Sequence, residues 1–389
     1  MTSLSRDPRI DFIRGIAVIA MVVQHVGGLS FLSFAFGAGT FYVSAAEVFV
    51  FLSGLVTARA ALKTSQRYGT RTATAHLLKR AGRLYVLTVV LTLLAVPVSE
   101  SIPLSWAQGL ALGNPMQLIV NVLTFHQTGY VVDIPLMYTL LVAFAALVVP
   151  LLHAGHTRLV VIASFGLWLA YQLMPEQANL PWSIAGNSLF PFSAWQLLFC
   201  LGLTAGHHWD SIRARARSFA RPQLLYVTGL ITLGIVLLFL VDHALRLIPS
   251  EVDGLLFAKG HLGVGRIVAT FALLSFGFLF MGPAWTRLER TLGWFVLPLG
   301  RNSLRCYVLH VPVVYGAALV LHAGGPAGLL ARAECTCLQV GALLLIWLGV
   351  GFVHLRGSNA ALSRLTAKFA FAIDTSRAVR GFALTIFRY

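Results

Sequence analysis

The sequence predicts an all-α integral membrane protein, a bundle of about ten transmembrane helices with both termini cytoplasmic. Three observations predict it. Of 389 residues, 58% are hydrophobic and only 11% charged, well below the ~25% charged of soluble globular domains. Apolar windows of about 17–22 residues recur along the chain, each suited to crossing an ~30 Å hydrocarbon core as a helix. Lysine and arginine crowd onto alternate connections between those windows, which is the positive-inside pattern.

Taken in order, the first window, 12–28, carries no charge between Ile16 and Gln24. It is longer than a signal-peptide core and lacks a convincing small-x-small cleavage site, so it reads as a retained helix. The second, 43–62, contains Glu47. The third, 83–98, is short and follows a basic stretch, 63–82, whose spaced apolar positions suit an interfacial helix. The fourth, 131–152, opens on Asp133, and the fifth covers 157–174. Windows 191–208, 223–242 and 266–282 follow, then 302–322, which holds His310, and 334–354. Residues 1–355 are therefore expected to form one transmembrane domain. Residues 356–389 read as a basic amphipathic tail along the inner leaflet.

Two connections, 99–130 and 243–265, are long and external in this topology. The first contains Trp106, Pro115, His126 and Tyr130; the second contains Pro249, Glu251, Asp253, Lys259 and His261. They have enough polar surface to meet a hydrophilic partner, or they are plain connectors.

The net charge of +16 follows from topology. With a cytoplasmic N-terminus, all of the 29 Lys and Arg except Arg246, Lys259, Arg266 and Arg332 fall on cytoplasmic ends. This distribution argues for contact with anionic membrane lipids and against nucleic acid. Cys200, Cys306, Cys335 and Cys337 lie in or beside apolar windows without zinc-like spacing, so they read as small buried residues and no metal is expected.

The residue that organises the chain is His25, with Arg14 eleven positions before it. In a helix this spacing is about three turns and about 16 Å, placing both side chains on one face. An ionisable group inside a bilayer is a functional candidate by default, with a partner expected. His25 falls roughly 20 Å into the core, and Glu47, entering from the other side, reaches a similar depth. A carboxylate orienting an imidazole makes a general base for a hydroxyl; a plain helix-to-helix hydrogen bond is the other reading. Asp133, near Tyr138, either meets a substrate hydroxyl or the same histidine, or caps its helix. His310 shares a helix face with Ser303 and reads as a satisfied core histidine or a substrate contact. Arg14, Arg80, Arg83, Arg301 and Arg305 gather at cytoplasmic ends, and Arg301 and Arg305 stand one turn apart. Guanidinium groups suit phosphate oxygens, although a positive-inside belt explains some of them. Asp11 is expected to position Arg14.

Together these features suggest a two-sided site, with phosphate-binding groups inside and a base nearer the outside. An acyl-CoA fits that form: its nucleotide stays at the cytoplasmic face and its pantetheine arm reaches inward. Lys259 and Arg266 are then expected to meet substrate, for instance a succinyl carboxylate.

Arg14, ten intervening residues and His25, after Asp11-Phe12, resemble the Arg-x10-His signature of the membrane-bound acyltransferase-3 superfamily. The stretch from Ser44 to Gly54 (SAAEVFVFLSG) is similar to the OpgC-like glucan succinyltransferase branch. Asp133 to Leu141, Trp195 to Phe199, and Gly300-Arg301-Asn302-Ser303 to His310 resemble later blocks of that branch. The resemblance implies an O-acyltransferase of the bacterial inner membrane that uses succinyl-CoA or acetyl-CoA and a periplasmic glycan acceptor. It implies that His25 is catalytic, that Arg14 is a donor-side or structural arginine and that Glu47 is a site carboxylate. A proton-coupled transporter or flippase using Arg14, His25 and Glu47 as a relay is the rival reading, and a non-catalytic export scaffold is a third. Lateral association into a homodimer is open.

Overall fold

Asp7 and Pro8 start the first helix of the computed structural model. The Asp7 side chain accepts from the Arg9 amide at 3.1 Å, and Pro8 supplies a pre-set backbone angle where no amide is needed. The structure describes residues 7–36, 41–101, 114–129, 131–178, 180, 182–187, 189–218, 221–323 and 329–358. Among them are fifteen α-helices and no strand beyond a single bridge between Gln127 and Ala185. Residues from 359 onward, which hold nearly all of the expected tail, lie outside the described residues, as do Trp106 and Tyr130.

The helices are α1 (Pro8–Val26), α2 (Phe31–Ala35), α3 (Ala45–Tyr68), α4 (Thr70–Ser101) and α5 (Pro115–Leu123). Then come α6 (Asp133–His153), α7 (Thr157–Leu173), α8 (Phe192–His207), α9 (Trp209–Ser218) and α10 (Arg221–Leu245). The last are α11 (Ser250–Phe257), α12 (Val264–Thr291), α13 (Gly293–Arg301), α14 (Ser303–Ala323) and α15 (Leu329–Ser358). A helix lies over each of the ten apolar windows. Six described helical stretches are long and apolar enough to cross a membrane: 45–68, 133–153, 222–245, 264–291, 303–321 and 331–351. The chain is therefore a multi-pass, all-helical membrane protein.

The expected interfacial helix over 63–82 is not a separate element. Its first residues complete α3, which stops at Gly69 with φ +84, and the rest begins α4, which runs on without a break through Gly82. Glycine is the residue that takes such a positive φ without strain.

The chain divides into two compact units, residues 1–6 with 41–282, and residues 7–40 with 283–389. In the first, α3 packs against α8 and α4, α4 against α6, and α7 against α8. The α3–α8 contact is backbone-close: a Cβ on Gly202 would strike the carbonyl oxygen of Phe51. Trp195, Phe199, Leu198 and Leu203 of α8 are fully buried beside it. In the second unit α1 packs against α13, α14 and α15. Here Gly300 sits on α1, and a Cβ there would meet the carbonyl oxygen of Asp11. Cys200, Cys306 and Cys335 are buried free thiols, whereas Cys337, expected to be buried, is exposed.

Candidate active site

Each unit gathers some of the residues singled out in the sequence. In the second unit the organising element is α1. Its last turn carries His25, and the helix ends at Gly27, whose φ of 75° lets the chain turn away. The carbonyls left over at that end are not stranded: Gln339 Nε2 on α15 donates to Gly27 O at 2.9 Å and to Val23 O at 3.3 Å. The Gln339 Oε1 accepts from Ser30 Oγ at 2.6 Å, and Gln339 is wholly buried. The backbone under His25 is thereby pinned from a second helix.

The His25 ring faces His310 of α14, with Nδ1 of His25 and Nε2 of His310 2.9 Å apart and ring centroids 5.1 Å apart. His310 has no exposed surface, and its own Nδ1 is 2.6 Å from the Tyr307 carbonyl oxygen. Toward the start of α1, an Arg14 guanidinium nitrogen donates to Ser303 Oγ at the start of α14. Arg14 and His25, placed on one face by their spacing, thus both have partners on α14. Asp11 is buried, and Arg301 lies 4.0 Å from its carboxylate with half its side chain exposed, a contact of small energetic weight.

Arg301 and Arg305 do not share a helix. Asn302 ends α13, its side-chain amide donating to Pro298 O at 2.9 Å, and α14 begins afresh at Ser303. A side chain that hydrogen-bonds its own backbone competes with helix continuation. Arg305 instead donates to Asn302 Oδ1 at 3.4 Å.

In the first unit a charge cluster has formed. Ser44 and Glu47 make a capping box: Glu47 Oε2 accepts from Ser44 N at 2.8 Å and from Ser44 Oγ at 2.6 Å. The other oxygen, Oε1, is 2.6 Å from Nε of Arg266 on α12, and Arg266 also donates to Phe257 O at 3.0 Å. Lys259 stands in the turn before α12 with its ammonium 5.1 Å above the Phe190 ring. Burial pushes the Lys259 ammonium below its usual 10.5; Glu47 opposes that, Arg266 adds to it, and Asp133 opposes it. Asp133 is buried at the start of α6 with Oδ1 accepting from Ile134 N at 2.8 Å. Glu47 and Arg266 thus form a direct ion pair, and Lys259 lies close enough to Glu47, Arg266 and Asp133 to feel their charges.

The partners differ from those expected. His310 faces the Nδ1 of His25, and Glu47 is held by Ser44 and Arg266. Arg266, expected to meet a substrate carboxylate, carries an internal one. Tyr138 is half-buried on α6, Arg83 is exposed on α4, and Arg80 donates to Thr57 Oγ1 at 3.0 Å. Gln339 was not anticipated, although a lone amide in an apolar window marks a place where a hydrogen-bond partner is needed.

Comparison with known families decides the kinship. The model of the OpgC protein family matches residues 6–355. The chain belongs to that family. Every residue of both clusters lies within the matched stretch, and membership points to a membrane glucan-modifying, succinyltransferase-like protein. A comparison with curated proteins gave no match. In this OpgC-family chain the paired histidines share a hydrogen bond along which a proton can move, and Arg14 is tied to Ser303.

Proposed function

We propose that this OpgC-family protein is an O-acyltransferase of the bacterial inner membrane, moving a succinyl or acetyl group from cytoplasmic acyl-CoA to a hydroxyl of an extracytoplasmic glycan. The observation that carries the reading is His25, an imidazole near the end of an apolar helix in a chain of this family. The distribution of Lys and Arg supports cytoplasmic termini and a donor entering from that side. Wider kinship with the acyltransferase-3 superfamily rests on the spacing of Arg14 and His25.

In this reading the imidazole of His25 takes the hydroxyl proton as the oxygen attacks the thioester carbonyl. The carbon–sulfur bond breaks, and the imidazolium returns the proton to the departing thiolate, giving CoA-SH and the ester. Arg14, Arg301 and Arg305 offer guanidinium groups to the nucleotide phosphates.

The test is transfer of radiolabel from succinyl-CoA or acetyl-CoA to an envelope glycan by protein purified in lipid nanodiscs. His25→Ala is expected to abolish transfer while the protein stays monodisperse with its wild-type melting temperature. Transfer retained in that variant overturns the assignment.

A further inference from the structure

An imidazole base must present the right nitrogen, and in this molecule hydrogen bonds select it. We propose that His310 is a positioning residue that holds His25 as its Nδ1–H tautomer, so that Nε2 of His25 is the nitrogen that takes the acceptor proton. The inference rests on the acyltransfer reading for its catalytic consequence, but its structural half stands on geometry alone.

The argument starts from Tyr307. Its carbonyl oxygen can only accept, and His310 Nδ1 lies 2.6 Å from it, so that nitrogen bears the hydrogen. A neutral imidazole has one N–H, which leaves His310 Nε2 as an acceptor. Across the 2.9 Å contact the hydrogen must then sit on His25 Nδ1. His25 Nε2 is left with the lone pair. The chain of donors runs in one direction, from His25 through His310 to the backbone of α14, and no other neutral arrangement satisfies both contacts.

The same chain helps after the proton arrives. When Nε2 of His25 takes the hydroxyl proton, positive charge spreads to Nδ1–H, which already points at a lone pair backed by a carbonyl dipole. The positioning resembles what a carboxylate does for a histidine base elsewhere, here supplied by an uncharged ring with no exposed surface. The backbone of α1 at His25 is independently held by Gln339, so the ring's direction is set from both α14 and α15.

The experiment uses the full chain in nanodiscs with 15N-labelled histidine, the His25 signals being assigned by their loss in His25→Gln. At a pH where both rings are neutral, wild type is expected to show a protonated Nδ1 and an unprotonated Nε2 at His25. His310→Gln, whose side-chain oxygen still accepts, is expected to keep that signature. His310→Leu is expected to lose it, and to lower kcat about 100-fold with the KM for acyl-CoA changed less than threefold, while His310→Gln recovers at least tenfold of that loss. A wild-type His25 protonated at Nε2, or a tautomer unmoved in His310→Leu, overturns the proposal. Wild-type protein with the expected tautomer but no acyl transfer would instead sink the functional reading and leave the hydrogen-bond assignment in place.

Discussion

Glu47 and Arg266, 219 positions apart in sequence, meet through Oε1 and Nε at 2.6 Å with side chains 0% and 7% exposed. Removing one member of such a pair strands the other charge where water cannot reach it. Glu47→Leu or Arg266→Leu alone is expected to cost about 3 kcal/mol or more, read as a lowered melting temperature in nanodiscs. The double variant should lose clearly less than the two singles together. Full additivity would mean that the pair does not act as one unit.

Lys259 gives the same cluster a pH signature. Burial lowers its folded-state pKa below the unfolded 10.5, so the folded protein binds that proton less tightly than the unfolded chain. The penalty is complete at pH values below the lowered folded pKa and fades as pH climbs from there toward 10.5. As pH rises toward 10.5, wild type should therefore gain stability relative to Lys259→Met. A difference in melting temperature that stays flat or narrows the other way would contradict this direction.

Arg14 and Ser303 join α1 to α14 near the start of both helices. Arg14→Lys keeps the charge and loses the planar fork of donors. It is expected to raise the KM for acyl-CoA about tenfold, the scale of one charge-assisted hydrogen bond, with kcat within a few-fold of wild type. Steady-state kinetics over a range of acyl-CoA separates the two constants; an unchanged KM would remove Arg14 from the donor side.

Gly300 leaves no room for a side chain, because the first carbon would overlap the Asp11 carbonyl. Gly300→Ala should force α1 and α13 apart and destabilise the protein by about 2 kcal/mol. Gly316, where an added carbon meets nothing within 4 Å, is the control: Gly316→Ala should leave the melting temperature unchanged or slightly raised.

Much of the helical layout was legible because uncharged runs of span length leave a chain few other options, and the stretch from Ile16 to Gln24 needs no partner to be recognised. The break at Asn302 was harder to see, since a side chain that closes one helix can equally sit inside a longer one. Helical spacing correctly put Arg14 and His25 on one face, and both find α14 there. Spacing carries no information about which nitrogen or oxygen waits on the facing helix. His310 lies 285 positions from His25, and only tertiary packing reveals that it, and not a carboxylate, meets Nδ1. Arg266 was recognised as unusual because it lies among the few cations away from the basic belts. Its engagement with Glu47 required the first unit to close around both.

Helix α10 differs from the other five described helices long and apolar enough to cross a membrane: only 6% of its most apolar stretch is buried within the protein. Its order depends largely on the surrounding hydrocarbon, because among the described residues its side chains are mostly exposed or only partly covered, as where Phe239 meets Phe41 and Tyr42. Extraction into micelles exchanges those acyl-chain neighbours for mobile detergent tails, so residues 222–245 should be where solubilised samples first lose amide-exchange protection, well before the histidine-bearing helices loosen.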